Sequence, residues 1–295
     1  MKHILSVSLG DSDRNSNIIV EFMGEQVQIE RIGTDGNKKN LCELLKSYDG
    51  KVTAFGLGGT DLYIYAGDKR YTIVESNAMA ENAKITPIVD GSGIKATLER
   101  RLPDILKKKY DIDLANKKVL MVCAVDRFGL AESLASTGCT VTYGDLVYGL
   151  GINYPLHSIK ALQRMAKILL PIICRLPVKY FYPIGKKQSE RVNKHQSYFL
   201  ENEVIAGDFH IIKRFMPTNL CGKIIITNTV TEKDYELLKS YGAKILVTTT
   251  PKMQGRSFGT NVLEALLVAM GAKSTKDYEH LLEILNIQPC VEYLY

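Results

Sequence analysis

At 295 residues, the chain is long enough for two domains that each have their own hydrophobic core. Its hydrophobic and charged fractions, 45% and 24%, are those of a folded globular protein and argue against disorder. A net charge of +6 is mild for this length, so we expect no nucleic-acid partner, although an anionic small molecule would suit it.

The cysteines and the apolar runs indicate a reducing compartment and no membrane span. Six cysteines are scattered without CxxC or metal-ligand spacing, which predicts free structural thiols and no metal site. The first residues, MKHILSVSLGDSD, carry one lysine and too short an apolar run for a signal peptide. The sequence has no run of about 18 uncharged apolar residues. We therefore predict a cytoplasmic protein without a transmembrane segment.

Residues 1–112 have the pattern of a separate α/β domain. Apolar and polar residues alternate over 17–32 around Gly24-Glu25, which predicts a β-hairpin. Polar turns that contain glycine separate the other segments. The remaining predicted strands are 3–9, 52–57, 63–65, 71–74 and 85–89, and the predicted helices are 40–48 and 94–102, the second of which continues past Pro103 with a bend to Lys109.

Two glycine-rich loops of this domain follow predicted strands. Gly91-Ser92-Gly93 precedes a helix, where backbone N–H groups and the helix dipole favour an anion, and Lys95 lies one turn further on. The alternative is that the serine only caps the helix. The loop over 56–61 either allows close backbone approach to a ligand or only needs a positive φ. Asp61 and Asp90 follow strands, where the ligand crevices of open α/β sheets lie, so both are candidates.

The stretch 117–145, KKVLMVCAVDRFGLAESLASTGCTVTYGD, carries the strongest fold signal. An apolar run rich in β-branched residues over 119–125 predicts a buried strand. Helical spacing follows over 128–136, and 140–143 begins a second strand that ends at Asp145. Strand, turn, helix, strand and acid form the opening unit of a dinucleotide-binding, Rossmann-like fold.

The glycine fingerprint of such a fold is incomplete. The three glycine positions of G-x-G-x-x-G hold Ala124, Asp126 and Gly129, with Arg127 in the same turn. The second glycine normally lets the backbone approach a pyrophosphate, which the Asp126 carboxylate would repel. Asp145 lies 19 residues after Asp126, where an acid binds the ribose of a nicotinamide cofactor; a surface acid at a strand end is the alternative.

A basic segment interrupts the alternation of strands and helices after this unit. A glycine-rich connection over 146–154 and an apolar helix over 158–174 lead to six basic residues between 175 and 194, opposed only by Glu190. Three interpretations remain open: a solvated insertion near 155–200, a rim that attracts phosphates, or a contact with a membrane surface or nucleic acid.

Three further apolar strands, 203–206, 223–227 and 244–247, complete a predicted parallel sheet of at least five strands. They extend the Rossmann-like domain over 113–271. Residues 272–295 are predicted to form a helix and an apolar tail that pack back on one of the domains.

The carboxyl ends of these strands form the expected binding edge of the sheet. His210, at the end of one strand, is the best candidate for general acid–base catalysis, with a structural role as the alternative. Thr248 and Thr249 follow the last strand. Arg256 lies in a loop that leads into an apolar helix, with Thr260 expected as its N-cap, and is a candidate clamp for a phosphate or carboxylate.

Several runs of the sequence resemble a known family. TPIVDGSGIKATLERR, VLMVCAVDRFGLAESLASTGC, AGDFHIIKR and ILVTTTPKMQGRSFGTNVLEALLVA look like the bacterial quinate/shikimate 5-dehydrogenase-like family. The resemblance implies an N-terminal substrate domain, a C-terminal NAD(P)-binding Rossmann domain, and hydride transfer between them. The Asn-Val-Thr-x-Pro-x-x-Lys run that supplies the catalytic lysine of true shikimate dehydrogenases is absent, and Lys95 with Asp90 or Asp61 are the nearest substitutes.

The sequence thus predicts an NAD(P)-dependent oxidoreductase that acts on a small polar or carboxylated substrate. His210 or Lys95 would move a proton, with Asp90 beside the lysine. One alternative is a transferase that uses another adenosine-containing cofactor such as S-adenosylmethionine, and the other is a non-catalytic nucleotide- or metabolite-binding protein. We also allow for a homo-oligomer. NAD or NADP would lie against Ala124, Asp126, Arg127, Gly129, Asp145, Thr248, Thr249 and Arg256.

Overall fold

The structure is a computed structural model that describes residues 1–178, 191–253, 256–257 and 259–295. Its first half contains a five-stranded sheet with strand order β2-β3-β1-β4-β7, in which only β2 runs antiparallel to its neighbour. The elements of this half, with a separate hairpin β5–β6, are β1 Lys2–Ser8, β2 Ser16–Phe22, β3 Glu25–Gly33, α1 Lys38–Tyr48, β4 Ala54–Gly58, β5 Tyr63–Ala66, β6 Lys69–Thr72, α2 Val74–Ala80, β7 Ile88–Val89, α3 Ser92–Arg100 and α4 Leu102–Tyr110.

The second sheet has the strand order β15-β12-β11-β10-β8-β9, and all of its strands except β15 are parallel. Its inner strands are buried on both faces, as expected from their uninterrupted apolar runs. The elements of this half are β8 Lys118–Met121, α5 Phe128–Ser136, β9 Thr140–Tyr143, α6 Ile159–Ile173, α7 Ser197–Glu201, β10 Val204–Ala206, α8 Phe209–Phe215, β11 Ile224–Thr227, α9 Glu232–Ser240, β12 Ile245–Thr248, β13 Lys252–Met253, β14 Arg256–Ser257, α10 Thr260–Ala269, α11 Thr275–Ile284 and β15 Cys290–Tyr293.

The predicted fold class is confirmed: an N-terminal α/β unit precedes a Rossmann-like, doubly wound parallel sheet. The hairpin predicted over 17–32 is also confirmed, since β2 and β3 are joined by a two-residue turn. Met23 and Gly24 in this turn have φ values of 53° and 75°. Positive φ at both central residues gives the turn the twist that two antiparallel strands need.

The helix α10 does not cover the sheet to which the sequence assigned it. It packs on β1 and β4 of the first sheet, while β15 returns to the edge of the second sheet. Gly56 permits this contact, because a Cβ there would lie 2.9 Å from the Asn261 carbonyl oxygen. The side chain of Asn261 then donates a hydrogen bond to Ser6 Oγ at 2.9 Å. An almost wholly apolar helix carries no sequence signal for which of two sheets it will cover.

Other differences from the predicted elements are local. The helix expected to bend at Pro103 is two helices, α3 and α4, which meet at Arg101, with the proline in the first turn of α4. The helix α2 was not predicted, and the glycine-rich connection begins with a single π-helical turn, Asp145–Gly149. Among the described residues, no helix combines the length and apolarity needed to cross a membrane.

Candidate functional site

The helix α3 connects the two sheets, and its neighbour across the junction is α5. Gly129 lets the two helices touch, because a Cβ there would lie 2.9 Å from the Ala96 Cα and 3.0 Å from its carbonyl oxygen. The one glycine that survives from the fingerprint therefore allows close packing of α5 on a helix of the first unit.

The side chain of Lys95 lies between two carboxylates, one from each half of the chain. Its Nζ is 3.0 Å from Asp126 Oδ1 and 3.2 Å from Asp61 Oδ2. Burial acts to lower the pKa of Lys95, but Asp126 and Asp61 outweigh it and raise that pKa above its ordinary value. The lysine is therefore a permanently charged link between the units, which does not suit it to exchange protons.

The two carboxyl groups beside Lys95 differ in their proton affinity. Burial raises the pKa of Asp61 well above its ordinary value, although Lys95 opposes the shift. The pKa of Asp126 is lowered: burial acts to raise it, but Lys95, a hydrogen bond from Asp61 and Arg127 outweigh burial. The pair therefore holds one proton on Asp61 in preference to Asp126.

The next residue of the same turn, Arg127, is 2% exposed and makes a second link between the halves. Its guanidinium forms an ion pair with Glu99 of α3 and lies 3.6 Å from Asp208 Oδ2. Burial acts to lower the pKa of Arg127, but Glu99, Asp208 and Asp126 raise it above its ordinary value. Arg127, which the sequence predicted to lie against NAD or NADP, is thus neutralised by protein carboxylates.

The carboxylate of Asp145 accepts hydrogen bonds from the backbone N–H groups of the fingerprint turn. Its Oδ1 accepts hydrogen bonds from Ala124 N at 2.9 Å and from Val125 N at 2.8 Å. Burial raises the pKa of Asp145 to about 7, although both backbone bonds oppose the shift. Ala124 and Asp145 therefore bond to each other, and a pyrophosphate at this turn would have to compete with Asp145 for the same N–H groups.

The anion expected at the start of α3 is a side chain of the protein itself. Glu264, from α10, accepts a hydrogen bond from Gly91 N at 2.7 Å and another from the Tyr278 hydroxyl at 3.0 Å. Burial and the nearby Asp90 raise the pKa of Glu264 to about 7. Sequence reasoning missed this residue because it lies far away in the chain, within an apolar helix.

The carboxylate of Asp90 is fully engaged in holding β5 against α3. It accepts bonds from the backbone N–H groups of Leu62 at 2.5 Å and Tyr63 at 3.2 Å. The Ser92 backbone and hydroxyl donate two more bonds, at 3.0 and 2.6 Å. These four bonds use both carboxylate oxygens, so the geometry favours a positioning role for Asp90. Of the two acids expected beside Lys95, Asp61 is the one that contacts it.

His210 lies at the start of α8, two residues after the Asp208 that faces Arg127. It is the second residue of α8, whose N-cap Asp208 accepts a hydrogen bond from the His210 backbone N–H at 2.9 Å. The histidine is thus part of a helix start and does not stand at an open strand end. Its catalytic role stays a prediction.

The other predicted cofactor residues lie at the end of β12 and beyond. The hydroxyl of Thr248 donates to the Thr250 carbonyl at 3.2 Å, and the buried Thr249 hydroxyl has no hydrogen-bond partner in the described part of the chain. Arg256 lies in β14, and its proposed contact with an anion stays a prediction. Most of the basic segment, residues 179–190, lies outside the described residues.

A cavity opens at the junction of the hairpin β5–β6, α3 and the start of α5. The enclosed part has a volume of only about 20 Å³, room for about one water molecule, and the rest of the space is open to solvent. One buried oxygen beside it, Glu99 Oε2, has no hydrogen-bond partner among the described residues. The cavity is lined by Tyr63, Tyr65, Gly67, Ser92, Lys95, Ala96, Glu99, Arg100, Asp126, Phe128 and Gly129.

The chain belongs to the family described as Domain of unknown function (DUF8754), which matches residues 93–294. Residues 3–90 match a second family, Domain of unknown function (DUF8753). No curated protein matches the chain.

Solved structures share its general architecture at low similarity. A galactofuranose binding protein is 11% identical with a TM-score of 0.38, and the match covers 97% of this chain and 99% of that one. A sugar ABC transport substrate-binding protein from Bordetella parapertussis 12822 is 10% identical with a TM-score of 0.38, over 98% and 83% of the two chains. L-tryptophan dehydrogenase from Nostoc punctiforme is 11% identical with a TM-score of 0.38, over 97% and 80%.

The resemblance to quinate/shikimate 5-dehydrogenases is wrong, and with it the interpretation as an NAD(P)-dependent oxidoreductase. The matching families are of unknown function, and the similar structures are mainly sugar-binding proteins of transport systems. The fingerprint turn gives a physical reason for the error: Asp126 and Arg127 are paired with the first half of the chain, and Asp145 occupies the N–H groups of the turn. NAD or NADP as a ligand, and the cytoplasmic location, stay predictions.

Proposed function

We propose that the protein binds a small, neutral molecule rich in hydroxyl groups over the open mouth of the cavity between the hairpin β5–β6, α3 and α5. The observation that carries the proposal is the buried Glu99 Oε2, which lies beside this cavity without a hydrogen-bond partner among the described residues. Buried polar atoms are almost always hydrogen-bonded, so a ligand hydroxyl would satisfy this oxygen once the Glu99 side chain turns toward the cavity mouth.

The charges around the cavity favour a neutral ligand. Both cations that line it in the described part of the chain are paired: Lys95 lies between Asp61 and Asp126, and Arg100 bonds to Glu132 at 2.7 Å. A phosphate or carboxylate would therefore meet carboxylates without a free cation to balance its charge. Hydroxyl groups, in contrast, can donate to carboxylate oxygens without adding charge.

The aromatic lining supplies the apolar surface that such a ligand needs. Tyr65, which is 36% exposed, lines the cavity together with Tyr63 and Phe128. The Arg70 guanidinium lies 4.4 Å from the centre of the Tyr63 ring and holds it in place. Flat rings can cover the C–H faces of a sugar or polyol, while the carboxylates fix the orientation of its hydroxyl groups.

Thermal unfolding of the full chain tests the proposal, with neutral monosaccharides and polyols in one set of samples and NAD, NADP, S-adenosylmethionine and ATP in another. A ligand at about 100 times its Kd stabilises the fold by about 2.7 kcal/mol, which corresponds to a rise in Tm of roughly 5 °C or more. We expect such a rise with a member of the first set and none with the second.

A pair of variants locates the binding. Tyr65→Ala should abolish the rise, whereas Tyr154→Ala, which removes an exposed tyrosine that does not line the cavity, should leave it unchanged. A rise with a nucleotide alone, or one that survives in Tyr65→Ala, would contradict the proposal.

A further inference from the structure

The outward face of α6 carries an apolar row that the fold leaves uncovered in the described residues. The inner face of the helix, with Leu162, Ala166 and Leu170, is buried against the core. On the outer side, Ile168 is 68% exposed and Ile172 is 60% exposed. Their spacing of four residues places them next to each other along the helix.

A row of cations runs beside these two isoleucines. Lys160, Arg164, Lys167 and Arg175 are all exposed, and the sequence from 159 to 178 contains no aspartate or glutamate. None of the four cations forms an ion pair with another described residue. At 100° per residue, Lys160, Arg164 and Lys167 lie on one flank of the two isoleucines, and Arg175 follows in the turn just after the helix.

We propose that this face of α6 docks on an anionic lipid surface, independently of the ligand cavity. Ile168 and Ile172 would enter the boundary between headgroups and acyl chains, while the four cations contact lipid phosphates at the same depth. Because α6 has 15 residues and one buried face, it would lie in the plane of the membrane surface.

The charge pattern distinguishes a lipid surface from the other occupants. A second copy of the chain related by two-fold symmetry would bring the same four cations together across the interface, where they repel. A nucleic acid would use the cations but gain nothing from two exposed isoleucines. Of these three occupants, the lipid surface is the one that uses both rows.

Co-sedimentation of the full chain with vesicles tests the inference. We expect binding to vesicles that contain phosphatidylglycerol, no binding to pure phosphatidylcholine vesicles, and weaker binding as salt is added. Arg164→Gln/Lys167→Gln should weaken binding about 30-fold, since each cation near an anionic surface contributes roughly fivefold. Ile168→Gln/Ile172→Gln should weaken it at least about tenfold, because two largely exposed apolar side chains no longer insert.

Matched variants separate docking from general effects of charge and apolarity. Lys233→Gln/Lys239→Gln removes two exposed cations from α9, and Ile284→Gln removes an exposed isoleucine from α11; both should bind like the unchanged chain. The inference is overturned by absence of binding to anionic vesicles, or by full binding of the isoleucine double variant. Binding to DNA or RNA in place of vesicles would also overturn it, as would a lipid-free dimer that the same isoleucine changes dissociate.

Discussion

Replacing Lys95 with methionine should destabilise the fold strongly and in a way that depends on pH. The change removes the cation that lies 3.0 Å from Asp126 and 3.2 Å from Asp61, and it leaves both carboxyl groups in the junction. Loss of one partner from a buried ion pair costs roughly 3–5 kcal/mol. We expect Lys95→Met to lower the free energy of unfolding by that amount near pH 7.

The sign of the pH dependence follows from the pKa of Asp126. In the unchanged chain this pKa is lowered, so its stabilising contribution is present above the unfolded-state value near 4 and is lost only as pH falls through the lower folded-state value. Without Lys95, the carboxyl can escape the cost of burial by taking up a proton. The difference in stability between variant and unchanged chain should therefore shrink as pH falls from about 7 to about 4.

Urea unfolding followed by circular dichroism measures both quantities, since the chain contains no tryptophan for fluorescence. The double variant Lys95→Met/Asp126→Asn should recover part of the loss, because it no longer buries an unpaired charge. A loss below about 1 kcal/mol at pH 7, or one that is the same at every pH, would refute the view that this cluster joins the two halves.

Three further predictions concern the neighbours of this cluster. Gly129→Ala should lower the free energy of unfolding in a urea titration by roughly 1–3 kcal/mol, because its methyl group would press on Ala96. The control Gly149→Ala, where a Cβ has open space, should change this free energy little. Glu264→Gln should remove about 3 kcal/mol of the pH dependence of the unfolding free energy. Because the pKa of Glu264 is raised to about 7, its contribution to stability is present below about pH 4.5 and is lost as pH rises through 7. Urea titrations at about pH 5 and pH 8 would show the difference. Asp145→Asn should flatten the same pH window while its amide oxygen keeps the two backbone bonds, and an unchanged slope between pH 4 and 7 would contradict the burial of an ionisable carboxyl there.

The sheet architecture could be predicted from the sequence because the patterns that identify strands and helix ends lie within short segments of the chain. Apolar runs such as 224–227 and 245–248 are long enough to identify strands buried on both faces, and glycine and capping residues mark the helix ends. The capping box of Thr231 and Asp234, for example, lies within four residues of sequence and is present in the structure.

The site was less predictable because its contacts join distant parts of the chain. Lys95, Asp61 and Asp126 were each singled out from the sequence, but the bonds between them depend on how α3 docks on the second sheet. Glu264 reaches Gly91 across 173 positions and gives no local signal of its role. The sequence identified charged residues near loops, but it did not indicate which of these residues form ion pairs with one another.

That pairing supports our proposal that the ligand lies outside the fingerprint turn. Asp126 bonds to Lys95, Arg127 pairs with Glu99, and Gly129 admits Ala96, so each of these positions in the fingerprint turn now contacts α3. A turn used in this way cannot also surround a pyrophosphate without breaking buried ion pairs, at a cost comparable to the binding energy of a micromolar ligand. The proposed ligand would lie instead on the hairpin side of α3, where Tyr63, Tyr65 and Phe128 line the cavity, and binding there would stabilise the contact between the two halves of the chain.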